Sequence, residues 1–293
     1  MASLSDTPTP RQLPRFWLEA DPTQKLAMVV GAILILLAAL TPLIAPFDPN
    51  AQSLIARLRP PVWMARGQPG YLLGTDELGR DVLTRGLYGL RLTMMLAVMG
   101  ATLGLLIGGT LGLLAGMLGG RTEALVMGAV DAQIAVPFTL IALFLLTVLG
   151  NSIEVMVIVL GLAGWEQYAR IVRAEVRRLM RLPFIEAAHC AGAAPLWIAT
   201  RHLLPNLVSP LVVQFTLSLS SIILLESTLS FLGLGVQPPT ATLGAMVGIG
   251  RDYMPTAPWI VLVPALFILS VTFAVQILGD WLRDRADVRL RSR

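Results

Sequence analysis

The chain has 293 residues, 55% of them hydrophobic and only 14% charged, with a formal net charge of +4 and a mean hydropathy of +0.73. Runs of about twenty apolar residues lack the polar cover and alternation of a soluble core, so the bilayer is the solvent. The 22 basic residues are Lys25 and arginines spread over loops, which gives no nucleic-acid groove, and a lone Cys190 with His189 and His202 excludes an internal disulfide and a Cys/His metal cage.

Apolar stretches at about 26–46, 92–118, 123–149, 152–172, 207–232 and 258–279 predict six transmembrane helices, an all-α polytopic membrane protein. The residues before Lys25 are dotted with proline and lack a cleavage pattern, so the first span reads as a retained anchor. With the N-terminus inside, 15 of the 22 basic residues fall on the cytoplasmic side. The topology expected is therefore N-in/C-in. The boundaries that follow are a cytoplasmic tail at 1–25, a first helix with an external segment at 26–91, a core at 92–280 and a basic cytoplasmic tail at 281–293.

Within the second span, Gly100, Gly104, Gly108, Gly112, Gly116 and Gly120 recur every fourth residue and form one stripe. In lipid such a stripe lets another helix backbone approach closely, so it reads as a packing seam. Pro42, Pro137, Pro210 and Pro264 each remove a backbone donor inside a span and read as kinks.

Residues 166–206 are too polar for a span and too patterned for a linker. They read as three short helices, the first carrying Arg170, Arg173, Arg177, Arg178 and Arg181 beyond the fourth span and ending at Pro183. A second, at roughly 184–191, has Glu186 in its first turn, small Ala187, Ala188 and Ala191 on its surface, and Gly192 where a left-handed cap belongs. The third starts near Pro195 and stops before Pro205. A short, smooth helix held between two turns is a docking element.

Glu186-Ala187-Ala188, three residues, Gly192, and then Leu204-Pro205 resembles the EAA loop of ABC importer permeases. In that family the loop, here about 167–206, forms a coupling helix that sits in a cytoplasmic ATPase, and the resemblance places the contact at Glu186 to Gly192. His202 replaces the aliphatic residue of the general pattern, as is common in the peptide-type branch, and reads as a packed or capping side chain. The stretches LGTDELGRD at 73–81, LSFLGLGVQPP at 229–239 and LGDWLRD at 278–284 are similar to the C-type permease subunit of dipeptide, oligopeptide and nickel importers. In the first of these, Asp76, Glu77, Arg80 and Asp81 can pair locally while Gly74 and Gly79 permit positive φ. It reads as a cap over the external mouth, with direct substrate contact as the alternative.

Asp131, Glu226 and Asp280 would be costly facing lipid and should face protein or water. Two readings stand for Glu226: with Ser220 and Ser227 it lines a translocation pathway, or it hydrogen-bonds a neighbouring helix. No P-loop frames Lys25, so this chain is read as non-enzymatic, without a catalytic residue, metal or cofactor of its own. The resemblance implies a type I ABC importer permease fold in the bacterial cytoplasmic membrane. Its partners would be a second homologous permease, two cytoplasmic ATPase subunits that use ATP, an extracytoplasmic substrate-binding protein and membrane lipid, with no nucleic acid. Short peptides lead the cargo classes, ahead of nickel chelates and glutathione-like compounds. A secondary transporter would show an inverted repeat and have no use for the 186–205 loop, and an intramembrane enzyme would need a G-x-S-x-G or H-E-x-x-H motif that the chain lacks.

Overall fold

A computed structural model describes residues 20–291, with side chains described as far as Arg285. Most of the tail read at 1–25 and the end of the basic tail at 281–293 therefore lie outside the described residues. Helix α1 (Pro22–Ile44) opens on Asp21, whose backbone N–H donates to Gln24 Oε1 at 2.9 Å, and Pro22 fills the first position, where no donor is needed. The connection that follows folds onto itself. Asp76 accepts from the Leu78 and Arg80 backbone N–H groups and from Arg80 Nε at 2.6 Å, and Arg80 also reaches Glu77 at 2.7 Å. Gly79 turns with φ +72° against the Ser53 carbonyl, where a Cβ would have no room. Thr75 bonds the Ala56 and Arg59 backbones and receives the Trp259 indole N–H at 3.0 Å, so the segment is stapled to the last helix.

Helix α2 (Val82–Leu118) is 37 residues long, about 55 Å at 1.5 Å per residue, well beyond a hydrocarbon thickness of ~30 Å. It begins ten residues before the expected second span. Asp81 caps it by accepting from Thr84 N at 2.7 Å, and burial pushes this carboxyl above its ordinary range against the hydrogen bonds that lower it. Arg85 does not mark a loop, because it is buried between Asp76 at 3.5 Å and the Pro49 carbonyl at 3.0 Å.

The expected third span is broken. Helices α3 (Gly120–Ile134) and α4 (Phe138–Leu149) meet at 88° across Ala135–Pro137, where a single kinked helix was anticipated. Pro137 withholds a donor and its neighbours leave the helical ladder, so the chain turns rather than bends. Helices α5 (Ile153–Leu162) and α6 (Trp165–Leu179) follow one another with a short interruption and carry the arginines beyond the apolar region.

Helices α7 (Pro183–Cys190) and α8 (Pro195–Ile198) occupy the loop. The third loop helix does not stop before Pro205, as the sequence suggested. It runs through a π turn at Ala199–Leu203 into α9 (Leu204–Phe231), with Pro205 in the first turn. The widened turn accommodates the missing donor, and Asn206 Nδ2 donates to the His202 carbonyl at 2.6 Å. A short helix absent from the sequence reading, α10 (Leu243–Gly250), folds back against α9 through Gly244 and Gly248. Helix α11 (Trp259–Arg291) packs along α9 and α1 and passes Asp280 without a break.

Among the described residues, five helical segments are long and apolar enough to cross a membrane, and the bent α3–α4 pair supplies a sixth if it crosses as one. The architecture is all-α, and its main core gathers Leu90, Leu96, Met156, Leu160, Ile222 and Leu229 from α2, α5 and α9.

Candidate functional site

The glycine stripe is the seam that fixes the site's scaffold. A Cβ at Gly100 would sit 2.8 Å from Leu160 Cβ, at Gly104 3.0 Å from the Gly161 carbonyl, at Gly112 2.9 Å from Ala169 Cα, and at Gly116 2.7 Å from Val176 Cβ. Each contact lies on α5 or α6, so α2 lies backbone to backbone with the rod that leads into α7. Only Gly120, at φ +51° past the end of α2, has nothing near it.

At the far end of α6, Leu182 leads into α7 and Pro183 takes its first helical position. Ile185 is fully buried with Val176, Leu179, Ile198, Leu203 and Leu207, and this small core anchors the helix. Glu186, Ala187, His189 and Cys190 face outward, while Ala188 is half-buried against the anchor. The end of α7 closes as a Schellman motif: Gly192 N donates to the His189 carbonyl at 2.9 Å, Ala193 N donates to the Ala188 carbonyl at 3.0 Å, and Gly192 takes φ +77°. Leu204 and Pro205 are exposed on the first turn of α9. His202 packs between the Phe184 and Trp197 rings, with centroids at 5.6 and 5.0 Å. Phe184, Leu196 and Trp197 are themselves exposed, so this end of the loop presents apolar side chains around His202.

Glu226 is completely buried. It accepts from Ser230 Oγ at 2.7 Å and Thr93 Oγ1 at 3.1 Å, and Thr93 Oγ1 in turn lies 3.4 Å from the Leu243 N–H, so the carboxylate links α9, α2 and α10. Ser220 and Ser227 are buried as well. The open side of α9 carries Ser221 and Thr228 instead. Asp131 pairs with Arg170 at 2.9 Å on an exposed face, and Asp280 accepts from Gln276 Nε2, one turn earlier, at 3.4 and 3.5 Å.

Sequence reasoning passed over a polar belt at the start of α6. Trp165, Glu166, Gln167 and Tyr168 are consecutive, and each reaches another helix: Trp165 and Glu166 contact Gln133 on α3, Gln167 accepts from Gln214 on α9 at 2.7 Å, and Tyr168 bonds Ser218 on α9 at 2.7 Å. Nearer the loop, Glu123 on α3 accepts from both Arg173 and Arg177. A run of polar side chains just past the apolar part of the fourth span was the available signal.

Residues 108–288 match the family described as binding-protein-dependent transport system inner membrane component, and residues 22–61 match the N-terminal TM domain of oligopeptide transport permease C. Similar relatives include the dipeptide transport system permease protein DppC of Haemophilus influenzae, 35% identical over 98% of this chain and 100% of that one. The di/tripeptide transport system permease protein DppC of Pseudomonas aeruginosa is 39% identical over 97% of this chain and 94% of its own length. Among solved structures, the MetNI methionine ABC transporter in inward-facing conformations matches with a TM-score of 0.49 and 22% identity over 70% of this chain and 95% of that one. A full-length likeness to peptide permeases, over an all-helical chain with several membrane-crossing segments, means that this protein belongs to the family of binding-protein-dependent transport system inner membrane components.

Proposed function

We propose that the chain is the permease subunit of an ATP-driven type I importer that moves short peptides across the bacterial cytoplasmic membrane. The observation that supports this most is α7: a capped helix with a buried anchor at Ile185 and an outward face made of Glu186, Ala187 and Gly192, set at the tip of α6. A small-residue surface beside exposed Phe184 and Trp197 suits insertion into a cleft of another protein. Two cytoplasmic ATPase subunits would grip this element and its counterpart on a second homologous permease, with N- and C-termini on the same side. An extracytoplasmic binding protein would deliver the peptide. ATP would bind and react on the partner chains, and their closure would shift the permeases between inward-open and outward-open states. Nickel chelates and glutathione-like compounds are the competing cargoes.

Glu226, Ser220 and Ser227 would reach a pathway only where α2 and α10 part from α9, since in the present arrangement all three are enclosed. Glu226→Gln, which keeps the shape and part of the hydrogen bonding, is expected to lower uptake while leaving membrane levels intact. Unchanged uptake would leave the residue as a tie between helices.

The deciding experiment follows uptake of labelled dipeptide and of nickel by cells carrying the intact chain or Gly192→Asp at matched membrane levels. A Cβ at Gly192 meets nothing within 4 Å, so the substitution leaves the core alone while adding charge and backbone strain to the docking face. Loss of dipeptide uptake alone, by about tenfold or more as expected for a lost coupling contact, with loss of ATPase co-purification, is the expected outcome. Nickel uptake responding in its place would overturn the cargo, and a variant that keeps both its ATPase and full uptake would overturn the docking site.

A further inference from the structure

Two breaks in the helical ladder lie side by side and complete each other through one side chain. Leu162 ends α5, and its carbonyl, like those of any last helical turn, lacks an intrahelical donor. Gln133, in the last turn of α3 just before the 88° break, donates from Nε2 to that carbonyl at 2.7 Å and to Glu166 Oε2 at 2.9 Å. Its Oε1 accepts from the Trp165 indole at 2.6 Å. One amide thus ties the broken span to the start of α6. Beyond it, Ile134, Val136 and Pro137 are exposed, so the break itself is not held by packing within this chain.

The other end of α6 leads to the docking helix. From Trp165 to Leu179 the rod is about 21 Å long at 1.5 Å per residue, and its back is locked to α2 by the glycine seam. Displacement of α7 is therefore delivered to Trp165 and Glu166 with little lost to bending. Discontinuous helices in transporters lie where substrate passes, because irregular backbone is tolerated only against protein or a water-filled cavity.

Resting on the importer reading above, we infer that Gln133 is a positioning residue that passes movement of the docking helix to the break between α3 and α4. The amide is suited to this: it satisfies three partners at once, and no single-acceptor or single-donor side chain can replace it.

The test uses the whole assembly, this permease with its partner permease, ATPases and binding protein, in proteoliposomes, and reads ATP hydrolysis and uptake of a labelled dipeptide together. Gln133→Leu, similar in volume but unable to hydrogen-bond, should lower peptide taken up per ATP hydrolysed by about tenfold, in the range of site-to-site coupling, while ATP hydrolysis stays within about twofold of the intact chain. Trp165→Phe, which keeps a ring and loses only the indole N–H, should show a smaller drop in the same ratio and serves if the first variant fails to assemble. The double variant should fall no further than Gln133→Leu alone. A ratio unchanged in an assembled Gln133→Leu, or in Trp165→Phe where only that variant assembles, overturns the inference. An intact assembly that hydrolyses ATP without taking up peptide would instead sink the function beneath it.

Discussion

The two sides of α6 are built on different principles. Toward α2 the contact is backbone against backbone, made by glycines and offering no group that can let go. Toward α3 and α9 it is made by side-chain hydrogen bonds that involve Gln133, Gln167, Tyr168 and Glu123, each of which can break and re-form. Close packing in lipid carries its cost in every substitution, whereas a hydrogen bond between membrane helices contributes only about 0.6 kcal/mol on average, because alternative partners are at hand. One face is thus permanent and the other releasable. A helix that carried movement from α7 to α3, as proposed above, would need both, a rigid back and a joint that can shift.

Breaking the permanent face should have the largest effect. A Cβ at Gly108 would intrude on the Trp165 carbonyl and lie 2.8 Å from Tyr168 Cβ, and backbone cannot step aside as a flexible side chain can. Gly108→Ala should cost on the order of 1–3 kcal/mol or more from overpacking, read as a lowered unfolding temperature and lowered membrane level. Its neighbour sharpens the comparison. A Cβ at Gly109 meets only the Leu105 side chain of its own helix at 3.9 Å, so Gly109→Ala should be neutral or gain up to about 1 kcal/mol from helix propensity. Equal losses at both positions would mean that glycine content, not the seam, sets the stability of α2.

Much of the permanent face was legible, because a spacing of four names its own stripe and needs no knowledge of the partner. The boundaries of α7 were legible for the same reason: Pro183, Gly192 and Pro195 act on their own backbones, and the caps they imply are present. Where the reading fell short, the deciding partner is distant in sequence. Pro137 announces a disturbance, but a turn of 88° is stabilised by Gln133 reaching residues 29 and 33 positions away. Arg85 suggested a loop until Asp76 and Pro49 enclosed it, so α2 begins earlier than its apolar pattern. Glu226 stood out as a carboxylate that should face protein or water, yet Thr93, 133 positions away, could not be named from the chain. Pro205 stops a regular helix but not one that widens by a π turn, and α10 has no signal of its own because the surface its glycines fit is on α9.

The smallest expected loss belongs to a single bond of the releasable face. Tyr168 is fully buried, and its hydroxyl shares a hydrogen bond with Ser218 at 2.7 Å, while its ring edge and Cβ lie against Gly104 and Gly108. Tyr168→Phe keeps every apolar contact of the permanent face and removes one bond of the other, so the two contributions separate in one variant. Ser218 Oγ retains the Phe215 carbonyl at 2.9 Å and is not orphaned. A loss of about 0.6 kcal/mol is therefore expected, near the average for hydrogen bonds between membrane helices, measured as a small shift in detergent unfolding. Because α6 would keep its rigid back, peptide uptake should change by less than about twofold, below the range of site-to-site coupling. A large loss of uptake in Tyr168→Phe with stability intact would move the joint from Gln133 on α3 to Ser218 on α9.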